Sequence, residues 1–237
     1  GMLVLAGSGA DRVTGSAGDD FIDGRAYGGP SGNDSFKGGQ GNDVLFARDG
    51  TDTAVYDAAL TPNAITAISG IVIGGSEYAS YNINDGSGWR IATGGAEGTD
   101  TLIDVEIVEA GGGRFLLVGN GGFDTIGAAL AVAQAGDTIL VAPGIYHENL
   151  VIATSGITLL STGGSDVTII DGVQGGSQLG AIQILSGVDD VTIGDTGRGF
   201  HVQGINGTPG LEKAALYLQG EHDGIVVRGN EIEARGD

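Results

Sequence analysis

The sequence predicts an all-β fold made of short strands stacked in coils, and three observations predict it. A nine-residue period of Gly, Asp and apolar residues runs from residue 6 to residue 55. Short apolar runs, most of them closed by Gly, Asn, Asp or Ser, recur through residues 119–237. Of the 237 residues 48 are Gly, only 4 are Pro and 5% are aromatic, so the chain turns often and builds its core from Val, Ile and Leu. Collagen is excluded, because it needs a strict three-residue period and far more Pro.

Set out in nines, residues 6–55 read AGSGADRVT and GSAGDDFID, then, after an insertion at Gly24–Gly28, GPSGNDSFK, GGQGNDVLF and ARDGTDTAV. The fourth position is always Gly (Gly9, Gly18, Gly32, Gly41, Gly50) and the sixth always Asp (Asp11, Asp20, Asp34, Asp43, Asp52). The eighth is Val13, Ile22, Phe36, Leu45 and the smaller Ala54. Each choice has a cause. A calcium ion wants six to eight oxygens at about 2.3–2.6 Å, drawn from carboxylates and carbonyls together. Asp is short enough to aim its carboxylate from a tight turn, and Gly supplies the backbone freedom such a turn needs. The apolar eighth residue faces inward from a short strand, so one repeat is a turn plus a strand and two repeats make a coil. Residues 1–57 hold nine Asp and no Glu, which fits turn geometry rather than general acidity. A flexible Gly/Asp linker would not keep an apolar residue at every eighth place.

This pattern resembles the RTX, or hemolysin-type, calcium-binding repeats, which form a parallel β-roll. The resemblance implies bound Ca²⁺, with the five Asp and the five Gly above at the metal sites. The departures are Ala6 and Ala47 at the first position and Ser16, Pro30 and Arg48 at the second. They imply weaker flanking sites than those around Asp20, Asp34 and Asp43.

Residues 58–118 lack the repeat and form a strand-rich connector. Strands are expected at Ile65–Ile73 and Glu77–Ile83, and Gly98–Glu106 is similar to the strand pair that closes RTX rolls. Trp89, the only Trp, is expected in the core or as a cap rather than as a ligand platform.

In residues 119–237 a short helix is expected to open at Asp124-Thr125-Ile126, with Ile126, Leu130 and Ala133 on one face and Gly136 at its end. Strands are expected at Ile139–Val141, Leu150–Ile152, Ile157–Leu160, Val167–Ile170, Ile182–Leu185, Val191–Ile193, Ala215–Leu218 and Ile225–Val227. The run from Phe123 to Tyr146 resembles the helical cap and first rung of right-handed parallel β-helix proteins of the pectate-lyase type, and Gly229-Asn230-Glu231-Ile232 resembles their later rungs. The resemblance implies a β-helix that is truncated at Asp237, since a solenoid needs a cap at each end. The chain therefore reads as a piece of a longer protein. The expected division is 1–57, 58–118 and 119–237.

The net charge of −20, from 10 Lys+Arg against 30 Asp+Glu, disfavours nucleic acid and anionic membranes as partners. It leaves acidic polysaccharide open only where cations intervene. Cysteine is absent, which removes disulfides, thiolate zinc sites and Cys nucleophiles. No stretch is long and apolar enough to span a membrane. No signal peptide is visible, and Gly1-Met2 reads as a tag remnant. In the pectate-lyase type, carboxylates, His, Lys or Arg on the long parallel face serve as cation ligand, base and charge neutraliser. The candidates here are His222, Asp223 and Arg228, ahead of His201 and of His147 in its turn. The Asp-Pro-His-Glu signature of mannuronan epimerases is absent. Arg235-Gly236-Asp237 spells an integrin-binding tripeptide that chance explains. Two functions fit: a secreted lyase or epimerase-like protein acting on acidic glycans, or a non-catalytic extracellular adhesion or display protein.

Overall fold

The computed structural model describes residues 1–25, 32–71, 86–172, 180–204 and 214–234. The expected strand Glu77–Ile83, the end of Ile65–Ile73, most of the insertion and the C-terminal tripeptide lie outside them. Among the described residues the chain is nearly all β, with one short α-helix. It divides into two compact units, Gly1–Arg114 with Asn120–Gly122, and Phe115–Gly119 with Phe123–Asp237.

The first unit is a parallel roll. Strands β1 (Leu3–Leu5), β3 (Phe21–Asp23) and β5 (Val44–Phe46) stack in one ladder, and β2 (Arg12–Thr14), β4 (Ser35–Lys37) and β6 (Thr53–Val55) stack in another. Each nonapeptide thus supplies one three-residue strand, and consecutive repeats alternate between the ladders. The middle residue of each of strands β2 to β6 is the eighth position of its repeat. Ile22, Phe36, Leu45 and Ala54 are fully buried, while Val13, on the first coil, is half-buried. Burying one large side chain of this kind contributes about 1.5–3 kcal/mol, so three-residue strands survive by stacking rather than by length.

After β6 the chain leaves the roll, passes a 3-10 turn at Pro62–Ala64 and forms β7 (Ile65–Ile68) and β8 (Gly88–Ala92), which pair antiparallel. Trp89 on β8 is fully buried opposite Ala67 and Leu102, the core position expected of it. The chain then re-enters the roll. Strand β9 (Thr99–Ile103) pairs parallel with β5, and β10 (Ile107–Ala110) pairs parallel with β6. The part of Gly98–Glu106 beyond the repeats therefore adds another coil in register with the earlier ones.

The second unit is a coil of three parallel ladders. The first holds β11 (Gly113–Val118), β12 (Thr138–Val141), β15 (Thr158–Ser161), β18 (Thr192–Ile193) and β21 (Val226–Val227). The second holds β13 (Gly144–Tyr146), β16 (Thr168–Asp171), β19 (His201–Gly204) and β22 (Glu231–Ala234). The third holds β14 (Leu150–Ile152), β17 (Ile182–Ile184) and β20 (Leu216–Leu218). Inward columns such as Ile139–Leu159–Ile193 are buried. Asn230 ties a turn to its neighbour: its Oδ1 accepts the Phe200 N–H at 2.9 Å and its Nδ2 donates to the Ile193 carbonyl at 2.8 Å.

Helix α1 (Ile126–Val132) begins where the sequence places it. The Thr125 hydroxyl accepts the Ala128 N–H at 3.0 Å, and the Glu148 carboxylate accepts those of Ile126 and Gly127 at 2.9 and 2.8 Å. The helix stops at Val132, before Gly136. Ala133 is already extended, and the Asp137 carboxylate takes the Gln134 N–H at 2.7 Å, which diverts the chain into a turn.

Phe36→Ala should cost the roll about 3–5 kcal/mol, because a fully buried ring cannot be replaced by relaxation of three-residue strands. Chemical unfolding of the calcium-saturated chain, followed by circular dichroism, checks this.

Candidate metal centre

The turns between the two ladders of the roll bring the sixth-position Asp residues into two columns. On one side the Asp11 N–H donates to Asp34 Oδ1 at 2.8 Å, the Asp34 N–H to Asp52 Oδ1 at 2.6 Å, and the Asp52 N–H to Glu106 Oε2 at 2.7 Å. On the other side the Met2 N–H donates to Asp20 Oδ1 at 2.5 Å, the Asp20 N–H to Asp43 Oδ1 at 2.7 Å, and the Asp43 N–H to Asp100 Oδ1 at 2.8 Å. One carboxylate oxygen of Asp20, Asp34, Asp43, Asp52 and Asp100 thus fixes the coil before it. The other oxygen, Oδ2, of Asp11, Asp34, Asp43, Asp52 and Asp100 is buried with no hydrogen-bond partner. A buried oxyanion without a partner is costly, so five in two columns mark places where the protein alone is incomplete.

The glycines hold the turns close enough for carbonyls to join these oxygens. A Cβ on Gly50 would lie 2.3 Å from the Gly32 carbonyl oxygen, and one on Gly38 would lie 2.1 Å from Asp43 Oδ2. Gly9, Gly41 and Gly50 take positive φ, as expected of the fourth position, whereas Gly18 does not. Gly32 is needed for space, since its Cβ would lie 2.3 Å from the carbonyl carbon of Gly9. No group of three or more His, Cys, Asp or Glu side chains among the described residues converges on a metal position. A cation here must take backbone carbonyls alongside one or two carboxylates, which suits a hard ion such as calcium and not zinc.

Electrostatics follow from burial. Burial pushes Asp34 up. Asp43 is pushed up to about 6, by burial first and then by Asp20 and Asp19. Burial takes Asp100 to about 7, and burial with the charges of Glu106, Asp34 and Asp104 takes Asp52 to about 8. Asp20 moves the other way: its burial is outweighed by hydrogen bonds from Ser16 and Met2.

Arg48, the departure at a second-position Gly, has its own physical account. It adopts φ 80°, a conformation costing a non-Gly residue about 1–2 kcal/mol. Its guanidinium binds both oxygens of the fully buried Asp23 at 2.9 and 3.0 Å and lies 3.4 Å from the Phe46 ring centre. Arg25 adds a second contact to Asp23 at 3.1 Å. At this turn side-chain cations meet the carboxylate.

In the second unit His222 and Asp223 lie with Ser186, Gly187, Asp189 and Glu221 around a shallow cleft of about 660 Å³. His222 Nδ1 is 2.8 Å from the Val188 carbonyl while its Nε2 is buried with no hydrogen-bond partner, and the Asp223 backbone N–H donates to Asp189 Oδ1 at 2.8 Å. Arg228 is drawn to Asp195 at 3.0 Å. The better-connected histidines lie on the β13–β16–β19–β22 face, where strand alternation aligns His147, Asp171, Gln203 and Glu233. His147 Nδ1 is 2.9 Å from Asp171 Oδ2, and His201 Nε2 is 3.3 Å from Glu233 Oε2.

Turns that stack carboxylates beside carbonyls in parallel coils make an oxygen donor set suited to a hard divalent cation. Residues 4–26 and 29–57 match the RTX calcium-binding nonapeptide repeat in four copies. Such repeats bind calcium ions, and the chain is a calcium-binding protein on that ground. No curated protein and no solved structure matches the chain. No helix among the described residues is long and apolar enough to cross a membrane.

Asp43 and Asp100 lay in reach of sequence reasoning to different degrees. Asp43 sits in the most regular repeat, whereas Asp100 and Glu106 fall beyond the counted nines. The signal for Asp100 was Gly98-Thr99-Asp100-Thr101-Leu102, which keeps the Gly, Asp and apolar spacing of a repeat.

Asp43→Ala should lower the calcium-dependent gain in stability by at least about 1.4 kcal/mol, the equivalent of a site weakened tenfold. Melting with and without calcium measures it, and an unchanged gain would count against the column. A second expectation concerns pH. Asp43, Asp52 and Asp100 have folded values raised above the ordinary 3.8, so without calcium the folded state holds more protons than the unfolded state between that value and about 8. The stability they give the metal-free roll is present at low pH and is lost as pH rises through this window. The calcium-dependent gain should run the opposite way, growing as the carboxyls ionise. Melting curves in chelator and in calcium across this range test both slopes.

Proposed function

We propose that Asp11, Asp20, Asp34, Asp43 and Asp52 hold calcium between stacked turns, with carbonyls of the turns containing Gly9, Gly18, Gly32, Gly41 and Gly50, and that the chain works outside the cell. The supporting observation is the pair of columns in which Asp34, Asp43 and Asp52 each bond one carboxylate oxygen to the preceding coil and leave the other buried without a partner. At cytosolic calcium such a roll lacks the charge that offsets its crowded acids. At about 10⁻³ M calcium, extracellular-class sites fill and folding follows.

For the second unit we infer surface chemistry on acidic polysaccharide, of a lyase or epimerase-like kind. The reading rests on its likeness in sequence to pectate-lyase-type coils and on the paired His147–Asp171 and His201–Glu233 on one parallel face. A histidine beside a carboxylate is a competent proton acceptor, and calcium would bridge an acidic glycan to a chain of charge −20. A second reading, non-catalytic adhesion or display, is favoured by the engagement of Arg228 with Asp195, which leaves that arginine turned to a protein carboxylate.

Incubation of the calcium-loaded chain with pectate and alginate separates the two. Unsaturated product absorbance that falls at least tenfold in His201→Ala supports the catalytic reading. Binding of either glycan without product supports display, and neither product nor binding removes polysaccharide from the account.

A further inference from the structure

We propose that the turn Gly95–Asp100, outside the matched repeats, forms a further calcium site with the turn Gly38–Asp43, ligated by Asp43 and Asp100. The inference rests on the calcium reading of the repeats and extends it to a segment separated from them by an antiparallel hairpin.

Four observations carry it. Residues 95–103 read Gly-Ala-Glu-Gly-Thr-Asp-Thr-Leu-Ile, with Gly at the first and fourth places, Asp at the sixth and Leu at the eighth. The turn also docks as a repeat docks. Within the matched repeats the Val44 N–H donates to the Asp20 carbonyl at 2.9 Å, the Asn42 N–H to Asp19 Oδ1 at 2.8 Å, and the Asp20 N–H to Asp43 Oδ1 at 2.7 Å. One coil later the Thr101 N–H donates to the Asp43 carbonyl at 2.8 Å, the Thr99 N–H to Asn42 Oδ1 at 2.9 Å, and the Asp43 N–H to Asp100 Oδ1 at 2.8 Å. Third, the approach is as tight as between matched turns: Gly98 takes φ +70°, and a Cβ on it would lie 1.9 Å from the Gly41 carbonyl oxygen. Fourth, Asp43 and Asp100 are each 1% exposed, and the Oδ2 of each has no hydrogen-bond partner.

The neighbours of Asp100 do not take that oxygen. The buried Tyr56 hydroxyl interacts with the Asp100 carboxylate and favours its charged form, yet the contact falls short of a well-formed hydrogen bond to Oδ2. Glu97, the third residue of the turn, is committed elsewhere: its carboxylate accepts the N–H groups of Asp57 and Ala58 at 2.9 and 2.8 Å and clamps the strand leaving the roll. Two buried carboxylates with one oxygen each left over, on turns held within carbonyl reach, make the donor set of a hard divalent cation.

Native mass spectrometry of the full chain in calcium counts the ions. Asp100→Asn keeps an acceptor for the Asp43 N–H but removes the charge. At the calcium concentration that just saturates the wild type, it should carry one ion fewer and need about tenfold more calcium to recover it. Asp57→Asn, an exposed carboxylate paired with Lys37, should leave the count unchanged. Equal counts in wild type and Asp100→Asn overturn the site. Should Asp100→Asn fail to fold, hydrogen exchange of the wild type decides. Residues 95–103 should gain protection over the same calcium range as residues 38–46. Protection of 38–46 with calcium-independent exchange in 95–103 overturns this site alone, and calcium-independent exchange in both removes the calcium reading on which it rests.

Discussion

The roll depends on the divided use of each turn carboxylate. One oxygen accepts the N–H of the equivalent residue in the preceding coil, which sets the register between coils without any side chain from the core. In Asp34, Asp43, Asp52 and Asp100 the other oxygen is buried with nothing to bond, while in Asp20 the Ser16 N–H and hydroxyl complete the carboxylate. The same residue therefore aligns the stack and makes it electrostatically incomplete. Strands of three residues have little cohesion of their own, so whatever satisfies the second oxygen decides whether the stack persists.

The two units solve the same problem by different means. In the second unit Asn230 satisfies turn backbone with a neutral amide, and the inward columns are large aliphatics. In the first unit the turns carry charge, the inward positions shrink to Ala54 at one coil, and burial lifts carboxyls well out of their ordinary range. Arg48 and Arg25 on Asp23 are the exception within the roll, a place where guanidinium groups supply the positive charge.

Much of this was legible in the sequence because solenoids repeat. The nine-residue period gave the strands, the inward residues and the Asp columns together, and the punctuated apolar runs located most strands of the second unit. Strands β13, β19 and β22 were less legible, since Gly144–Tyr146 and His201–Gly204 carry no apolar run of their own and are held by their neighbours in the ladder. Asp100 and Glu106 escaped because the hairpin breaks the count in sequence while leaving the stack unbroken in space. The helix end escaped because a local turn, closed by the Asp137 carboxylate on the Gln134 N–H, diverts the chain ahead of the Gly that propensity favours. The partners of Arg228 and His222 depend on which turns lie one coil away, which no local pattern states.

The hairpin also changes how the roll must assemble. Within the repeats, hydrogen-bonded carboxylates and amides lie 18 or 23 residues apart, whereas Asp43 and Asp100 lie 57 apart. Closing that larger loop carries a greater entropic cost, and contacts between residues far apart in sequence slow folding. The coil that completes the stack is thus the one the chain searches longest to find, and the earlier coils must wait with an open edge until it arrives.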